Sequence, residues 1–246
     1  MHQFFVEPSQ INDKLVYIEG SDVNHIKNVL RMKPGEEISV SNGVDGKEYR
    51  CGILRMEEER VVCELRFIKE DGLELPARVH LFQGLPKADK MELIIQKTVE
   101  LGVYEIIPVE TKRSVVKLDE KKAKQKTERW QAIAEAAAKQ SRRRIVPAVK
   151  RPMGFVQALE MAASMEMKLI PYELAEGMDR TKQLLAGITE GIDIAVFIGP
   201  EGGFEEEEIK RAKESGFEPV TLGNRILRTE TAGFTVMAWL MYQLEK

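Results

Sequence analysis

The chain has 246 residues, 43% of them apolar, and a formal charge of −3, enough length and apolar content to build a sizeable core in one large or two smaller domains. No run reaches the ~20 apolar residues of a membrane span, and the start MHQFFVEPSQ lacks the charged and apolar regions of a secretion signal, so a cytoplasmic protein without a membrane partner is expected. Cys51 and Cys63 have neither zinc nor redox spacing, and His2 and His80 have no carboxylate or cysteine spacing that would build a metal site, so no metal is expected.

The first seventy residues read as short strands with turn punctuation. In VVCELRFI the alternation places Val61, Cys63, Leu65 and Phe67 on one face, while Asn42-Gly43 and Asp45-Gly46 mark hairpin turns, together a small barrel or sandwich. One helix interrupts it: Ser21 can cap SDVNHIKNVLRM, with Ile26, Val29 and Leu30 inward, and Pro34-Gly35 stops it. His25 on this helix reads as solvated or locally satisfied. The charged, proline-ended stretch KEDGLELPAR is the expected linker, dividing residues 1–72 from 73–246.

Beyond it the rhythm changes. Apolar runs VHLFQGL, EIIPV, KLIPYE, DIAVFIG and EPVTLG alternate with helical patterns, which implies a mostly parallel α/β sheet. The helix predicted at 87–101 turns Met91, Ile94, Ile95 and Thr98 to one side and stops at Gly102. A second is predicted at 120–141. The last, TAGFTVMAWLMYQL, is apolar on nearly all sides and is expected to be buried in the domain or against another subunit.

Charge is segregated along this order. Residues 1–72 hold 10 Lys+Arg against 14 Asp+Glu, residues 84–151 hold 17 against 9, and residues 152–246 hold 9 against 16. A basic centre between acidic flanks is what a local phosphate-binding surface would produce, and a solvated helix face would read the same way.

Two turns follow strands and precede helices, where ligands settle in open α/β sheets. In IGPEGGFEEEEI, Gly199, Gly202 and Gly203 allow close backbone approach, but the spacing is neither a dinucleotide nor a triphosphate loop. Glu205 to Glu208 fill the following helix start and would repel a phosphate, so a neutral or cationic ligand is expected there. In LGNRILRTETAG, Thr229 or Thr231 can cap the next helix, whereas Arg228 opposes its dipole and needs an anionic target or a carboxylate partner. The stretch AAAKQSRRRIVP ends a helix with three arginines, more than its dipole requires, and points to phosphate contact.

Taken in order, HIKNVLRMKPGE, GLPKADKMELIIQKTVELGV, KQSRRRIVP, IGPEGGFEEEE and LGNRILRTETA resemble the bacterial 16S ribosomal RNA (uracil-1498-N3)-methyltransferases, the RsmE type of the knotted SPOUT methyltransferases. The resemblance implies a PUA-like or OB-like β-barrel that helps hold RNA, then an α/β domain with a deep carboxyl-terminal trefoil knot, and a homodimer. It also implies S-adenosyl-L-methionine against Ile170, Pro171, Tyr172, Ile198, Gly199, Pro200, Gly202, Leu222, Gly223, Ile226, Leu227 and Thr231. The substrate would be 16S ribosomal RNA or the small subunit. His2-Gln3 and Asn24 depart from the arginine and histidine that family members usually carry there.

Transfer to uracil N3 needs loss of the N3 proton. Arg228 is the expected electrostatic stabiliser, and Glu230 or Glu201 the expected base. Arg31, Lys87, Lys90, Arg142 and Arg143 are the expected RNA contacts. Methylation of another RNA atom, a ribose 2′-hydroxyl or a guanine nitrogen, and a non-catalytic RNA-binding role in ribosome assembly are the alternatives.

Overall fold

Two short polar turns show how closely local sequence dictates the first unit. Between strands β4 (Glu37–Ser41) and β5 (Glu48–Met56), the Asn42 side chain accepts the amides of Val44 and Asp45, and Asp45 accepts that of Lys47. Gly43 and Gly46 supply the positive φ, 74° and 71°, that the turn demands. The computed structural model describes residues 1–70, 73–173, 175 and 177–245; residue 72 of the expected domain boundary lies outside the described residues.

The chain divides into two units, Met1–Glu74 with Ala138–Val146, and Leu75–Ala137 with Pro147–Lys246. The first is built on a six-stranded mixed sheet. With β1 (Gln3–Phe5), β2 (Ile11–Asn12), β3 (Leu15–Glu19) and β6 (Arg60–Lys69), its order is β1-β4-β5-β6-β3-β2, parallel only between β1 and β4. Val16, Ile18, Ile38, Val40, Ile53 and Val61 fill its core, together with both free cysteine thiols.

Two expectations for this unit are corrected. Phe67 is exposed, because a register shift between Arg50 and Cys51 in the β5–β6 pairing breaks the simple alternation ahead of it, and Val62 is buried along with Val61 and Cys63. Helix α1 (Ser21–Asn24) continues as a π turn over His25–Val29, and that wider turn leaves Val29 exposed while Val23 and Ile26 stay in the core.

The second unit carries a parallel sheet of β7 (Arg78–Gly84), β8 (Glu105–Glu110), β9 (Ala148–Val149), β10 (Met153–Gly154), β11 (Met167–Pro171), β12 (Asp193–Ile198) and β13 (Glu218–Val220). Its order is β10-β8-β7-β12-β11-β13, with β9 also on β8. The central strands are apolar runs, as burial on both faces requires, and Phe82 stacks on Phe197 at 4.5 Å. Helices α4 (Phe155–Met161) and α6 (Glu206–Glu214) close over this core through Phe155, Ala158, Leu159, Ile209 and Ala212.

Helix α2 (Lys90–Glu100) buries Met91, Ile94, Ile95 and Thr98, and the chain leaves it at Gly102 with φ 90°. Helix α3 (Glu120–Gln140) follows, then α5 (Met178–Ala186) and α7 (Thr229–Leu244) later in the chain, and α7 packs on α2, α5 and β12. Only one face of α7 is fully buried, through Gly233, Val236, Met237, Leu240 and Leu244. Its opposite side leaves Tyr242 84% exposed, so within this chain the helix is not covered all round. No helix among the described residues is long and apolar enough to cross a membrane.

Candidate functional site

The carboxyl ends of β11, β12 and β13 lead into three loops that enclose a cleft of about 730 Å³. Its floor is backbone. A Cβ on Gly84 would lie 2.6 Å from the Pro200 ring, so Gly84 lets the turn at 199–203 press onto β7. Gly203 and Gly223 have φ of 67° and 101° and open space beside them. In the loop at 222–227 the only hydrogen bond among the described residues is from the Gly223 amide to Thr221 Oγ1, at 3.3 Å. No other amide or carbonyl of this loop is hydrogen-bonded within the described residues. A cradle with free backbone donors and acceptors and little side-chain bulk fits a flat heteroaromatic group such as adenine.

Behind the cradle a buried relay fixes the geometry. Gln83, wholly buried at the end of β7, donates to Thr229 Oγ1 at 2.9 Å, and Thr229 Oγ1 donates onward to the Gly199 carbonyl at 2.6 Å. Thr229 thus ties α7 to the turn after β12. It does not cap the helix: Arg228 occupies the N-cap position and makes no capping bond, which corrects the expected capping by Thr229 or Thr231.

Arg113, from the loop after β8, donates to the Gly202 carbonyl at 2.9 Å. Its loop is held by the Thr111–Ser114 hydroxyl pair at 2.9 Å and by Glu208, which accepts the Lys112 amide at 2.9 Å and the Glu205 amide at 3.0 Å. Sequence reasoning missed Arg113 and Gln83, which stand in neither of the two glycine turns nor in an arginine run, and Thr229's tie to Gly199, because its partner lies thirty residues away. A lone buried glutamine at a strand end is the signal that could have found the relay.

Of the expected cofactor-side residues, Pro171, Tyr172, Ile198, Gly199, Pro200, Gly202, Leu222, Gly223, Ile226 and Leu227 line the cleft. Ile170 lies in the hydrophobic core, and Thr231 is exposed outside the cleft lining. Arg228 lines the cleft, exposed, with no ion pair among the described residues. Glu201 lines it too, whereas Glu230 does not.

Lys90 bridges these two carboxylates, 2.9 Å from Glu201 Oε1 and 3.4 Å from Glu230 Oε2. Burial pushes the Glu201 carboxyl up, but hydrogen bonds from Lys90 and from backbone amides, including that of Lys87, outweigh it and hold Glu201 below the ordinary glutamate range. The hydrogen bond to Glu201, reinforced by both carboxylate charges, raises Lys90 above its ordinary value.

The charge expected around the ligand is corrected here. The α6 acids do not line the cleft: Glu208 is buried against the Lys112 and Glu205 amides, and Glu206 and Glu207 are exposed. Among the described residues, four cations, Lys90, Arg113, Arg225 and Arg228, line it against two carboxylates, Glu173 and Glu201. Such a cleft favours an anionic reacting group.

The basic run resolves differently. Arg143 is 5% exposed, and its guanidinium binds Glu74 through Nε at 3.0 Å and through Nη2. Arg144 is 2% exposed, bound to Glu48 at 2.7 Å and to the Lys69 carbonyl at 3.2 Å. Arg143 is therefore a structural staple of the first unit, its guanidinium engaged by Glu74 and not presented to phosphate. Arg142 is exposed with φ 61°, Arg31 is exposed with φ 52°, and Lys87 is exposed. No group of three or more His, Cys, Asp or Glu that could hold a metal occurs among the described residues.

A parallel sheet whose strand ends carry a backbone-lined cleft is shared by many enzymes, and comparison with known proteins supplies the class. The family model described as an RNA methyltransferase domain matches residues 73–241, and that described as an RNA methyltransferase PUA domain matches residues 18–66. The chain is 38% identical over 251 residues to the ribosomal RNA small subunit methyltransferase E of Bacillus subtilis, covering 100% of this chain and 98% of the relative. It belongs to the ribosomal RNA small subunit methyltransferase E family. The Neisseria gonorrhoeae member, solved bound to S-adenosyl methionine, superposes with a TM-score of 0.83 at 34% identity, covering 98% of this chain and 97% of that one. A Legionella pneumophila protein solved with its bound cofactor SAM superposes at 0.81 with 33% identity, covering 98% of this chain and 96% of that one.

Proposed function

We propose that this chain binds S-adenosylmethionine in the cleft at 199–203 and 222–228 and methylates N3 of a uridine in 16S ribosomal RNA, free or in the small subunit, in the cytoplasm. The observation that carries the reading is the cleft itself, a backbone cradle in which Arg228 stands exposed with no ion pair among the described residues. The bound cofactor supplies a methyl on a positively charged sulfur. Everything else falls to the chain.

Neutral uracil has a proton on N3 and no lone pair to give there, so the acceptor must lose that proton before or during attack. A guanidinium beside N3 and O4 stabilises the resulting anion and lowers its pKa. Arg228 takes this role, being exposed in the cleft with no ion pair among the described residues. Glu201 is the one candidate base that lines the cleft, and Lys90 keeps it ionised at neutral pH. A carboxylate below its ordinary range is a weak base, so most of the acceleration is assigned to the field of Arg228 and to holding methyl and N3 in near-attack geometry.

RNA is held by exposed cations, Arg142 and Arg31 in the first unit and Lys87 in the second. We also propose that the stretch at 222–228 forms the knot of the fold. Its support is that α7 returns to pack on β12 after the chain has passed β11 and β13. The homodimer belongs to this proposal too, supported by the apolar side of α7 around Tyr242 that the chain leaves exposed.

Nucleoside mapping of small-subunit RNA by mass spectrometry, with and without the protein and cofactor, tests the reading. N3-methyluridine appearing only with both is the expected result. A methylated ribose or guanine would move the acceptor to another atom, and no new nucleoside in RNA or in subunits would overturn the activity.

A further inference from the structure

Lys90 lies in the basic stretch and is expected at RNA, but the structure binds it elsewhere. It opens α2, where a cation opposes the helix dipole and needs compensation. Two carboxylates provide it. Glu201 in the turn after β12 is 2.9 Å away, and Glu230 in the first turn of α7 is 3.4 Å away. Three segments distant in sequence thus meet at one ammonium group.

Each carboxylate depends on that meeting. Glu201 is oriented from its other side by the Lys87 amide, 3.1 Å from one oxygen and 3.3 Å from the other. Glu230 Oε2 is buried without a well-formed hydrogen bond among the described residues, and the Lys90 ammonium lies 3.4 Å from it. A carboxylate oxygen removed from water without a donor is costly, and a neighbouring ammonium offsets that cost through its charge. Drawing Lys90 away to an RNA phosphate would strand the buried oxygen and release the turn.

We infer that Lys90 is a positioning residue of the cleft and not a phosphate contact: it clamps the turn at 199–203 to the start of α7, so that the backbone cradle exists before any ligand arrives. The ligand it prepares for rests on the cofactor reading above, while the clamp is a property of the free chain. The two fail separately.

The experiment uses the full chain as Lys90→Met, Lys90→Gln and Lys90→Arg. Amide hydrogen exchange is followed without ligand, S-adenosylmethionine and S-adenosylhomocysteine are titrated by calorimetry, and small-subunit RNA binding is measured against salt. Lys90→Met and Lys90→Gln should speed exchange at 199–204 and 229–233 about tenfold while β7 and β8 keep wild-type rates, the pattern of a local opening. Both ligands should bind about tenfold more weakly, and the salt slope of RNA binding should stay as it is.

Lys90→Arg, able to reach both carboxylates through its fork, should restore most of the loss. Wild-type exchange in either segment, or a salt slope reduced by about one with unchanged ligand affinity, overturns the inference. Should Lys90→Met fail to fold, the Gln and Arg variants carry the same comparison. If the wild-type chain binds neither ligand, the cofactor reading falls and the exchange pattern still decides the clamp.

Discussion

Two arginine-rich stretches, SRRR at 141–144 and NRILR at 224–228, look alike in the sequence and are opposites in the structure. In the first, Arg143 and Arg144 are buried and bound to Glu74 and Glu48. In the second, Arg225 and Arg228 are exposed on a cleft without ion pairs among the described residues. An arginine with a buried carboxylate beside it has its charge already used. One left in a cleft, at the N-cap of a helix that disfavours it, is available to an anion from outside. Partners, not density of charge, separate staple from site.

The staple is where the comparison breaks most violently. Arg144→Ala removes the buried guanidinium from Glu48 Oε2 while Arg50 stays 2.6 Å from Oε1, and chemical denaturation should show a loss of about 1–3 kcal/mol. Arg144→Met combined with Glu48→Gln should cost less than the sum of the two single changes, since part of each loss is the same ion pair. If Arg144→Ala unfolds like wild type and instead loses RNA affinity, the assignment of the two stretches is reversed.

A third charged cluster, at the opposite ends of the strands, sharpens the point by titrating. His80 lies 3.3 Å from Glu105 and 3.0 Å from Asp193, and Asp193 also binds Arg78 at 2.6 Å. Burial alone would push the His80 imidazole down, but hydrogen bonds and charge from Glu105 and Asp193 outweigh it and hold His80 above its usual 6.5. A folded pKa raised above the unfolded one stabilises fully below the unfolded value and fades as pH rises through the folded value. Wild type should therefore melt a few degrees above His80→Gln near pH 5.5, and the gap should shrink steadily toward pH 9. A gap that widens with pH would mean that the imidazole is neutral in the fold.

The smallest effect distinguishes neighbours. Arg142→Ala should lower the slope of log affinity against log salt for RNA by about one and leave stability within ~0.5 kcal/mol. A slope that does not move would remove Arg142 from the phosphate contacts.

Much of the architecture was legible because it is periodic. The apolar runs 79–85 and 193–199, the 3.6-residue spacing of Met91, Ile94, Ile95 and Thr98, and the Asn42-Gly43 and Asp45-Gly46 turns each dictate local structure without distant partners. The cleft was legible through its glycines. What local reading missed depends on carboxylates far away in sequence: Glu74 and Glu48 that claim Arg143 and Arg144, and Glu201 and Glu230 that claim Lys90. Phe67 and Val29 were misplaced for a related reason, since a strand irregularity and a π turn each shift the face that a simple period predicts.

The central claim is that Arg228 serves the chemistry and not the fold. Single-turnover methylation of small-subunit RNA by Arg228→Ala at saturating S-adenosylmethionine tests it directly, with thermal melting alongside. The rate should fall by about 10²–10³, the scale for losing one preorganised group that stabilises developing charge, while the melting temperature stays within a degree or two. Wild-type single-turnover rate in a fully folded Arg228→Ala would contradict the account.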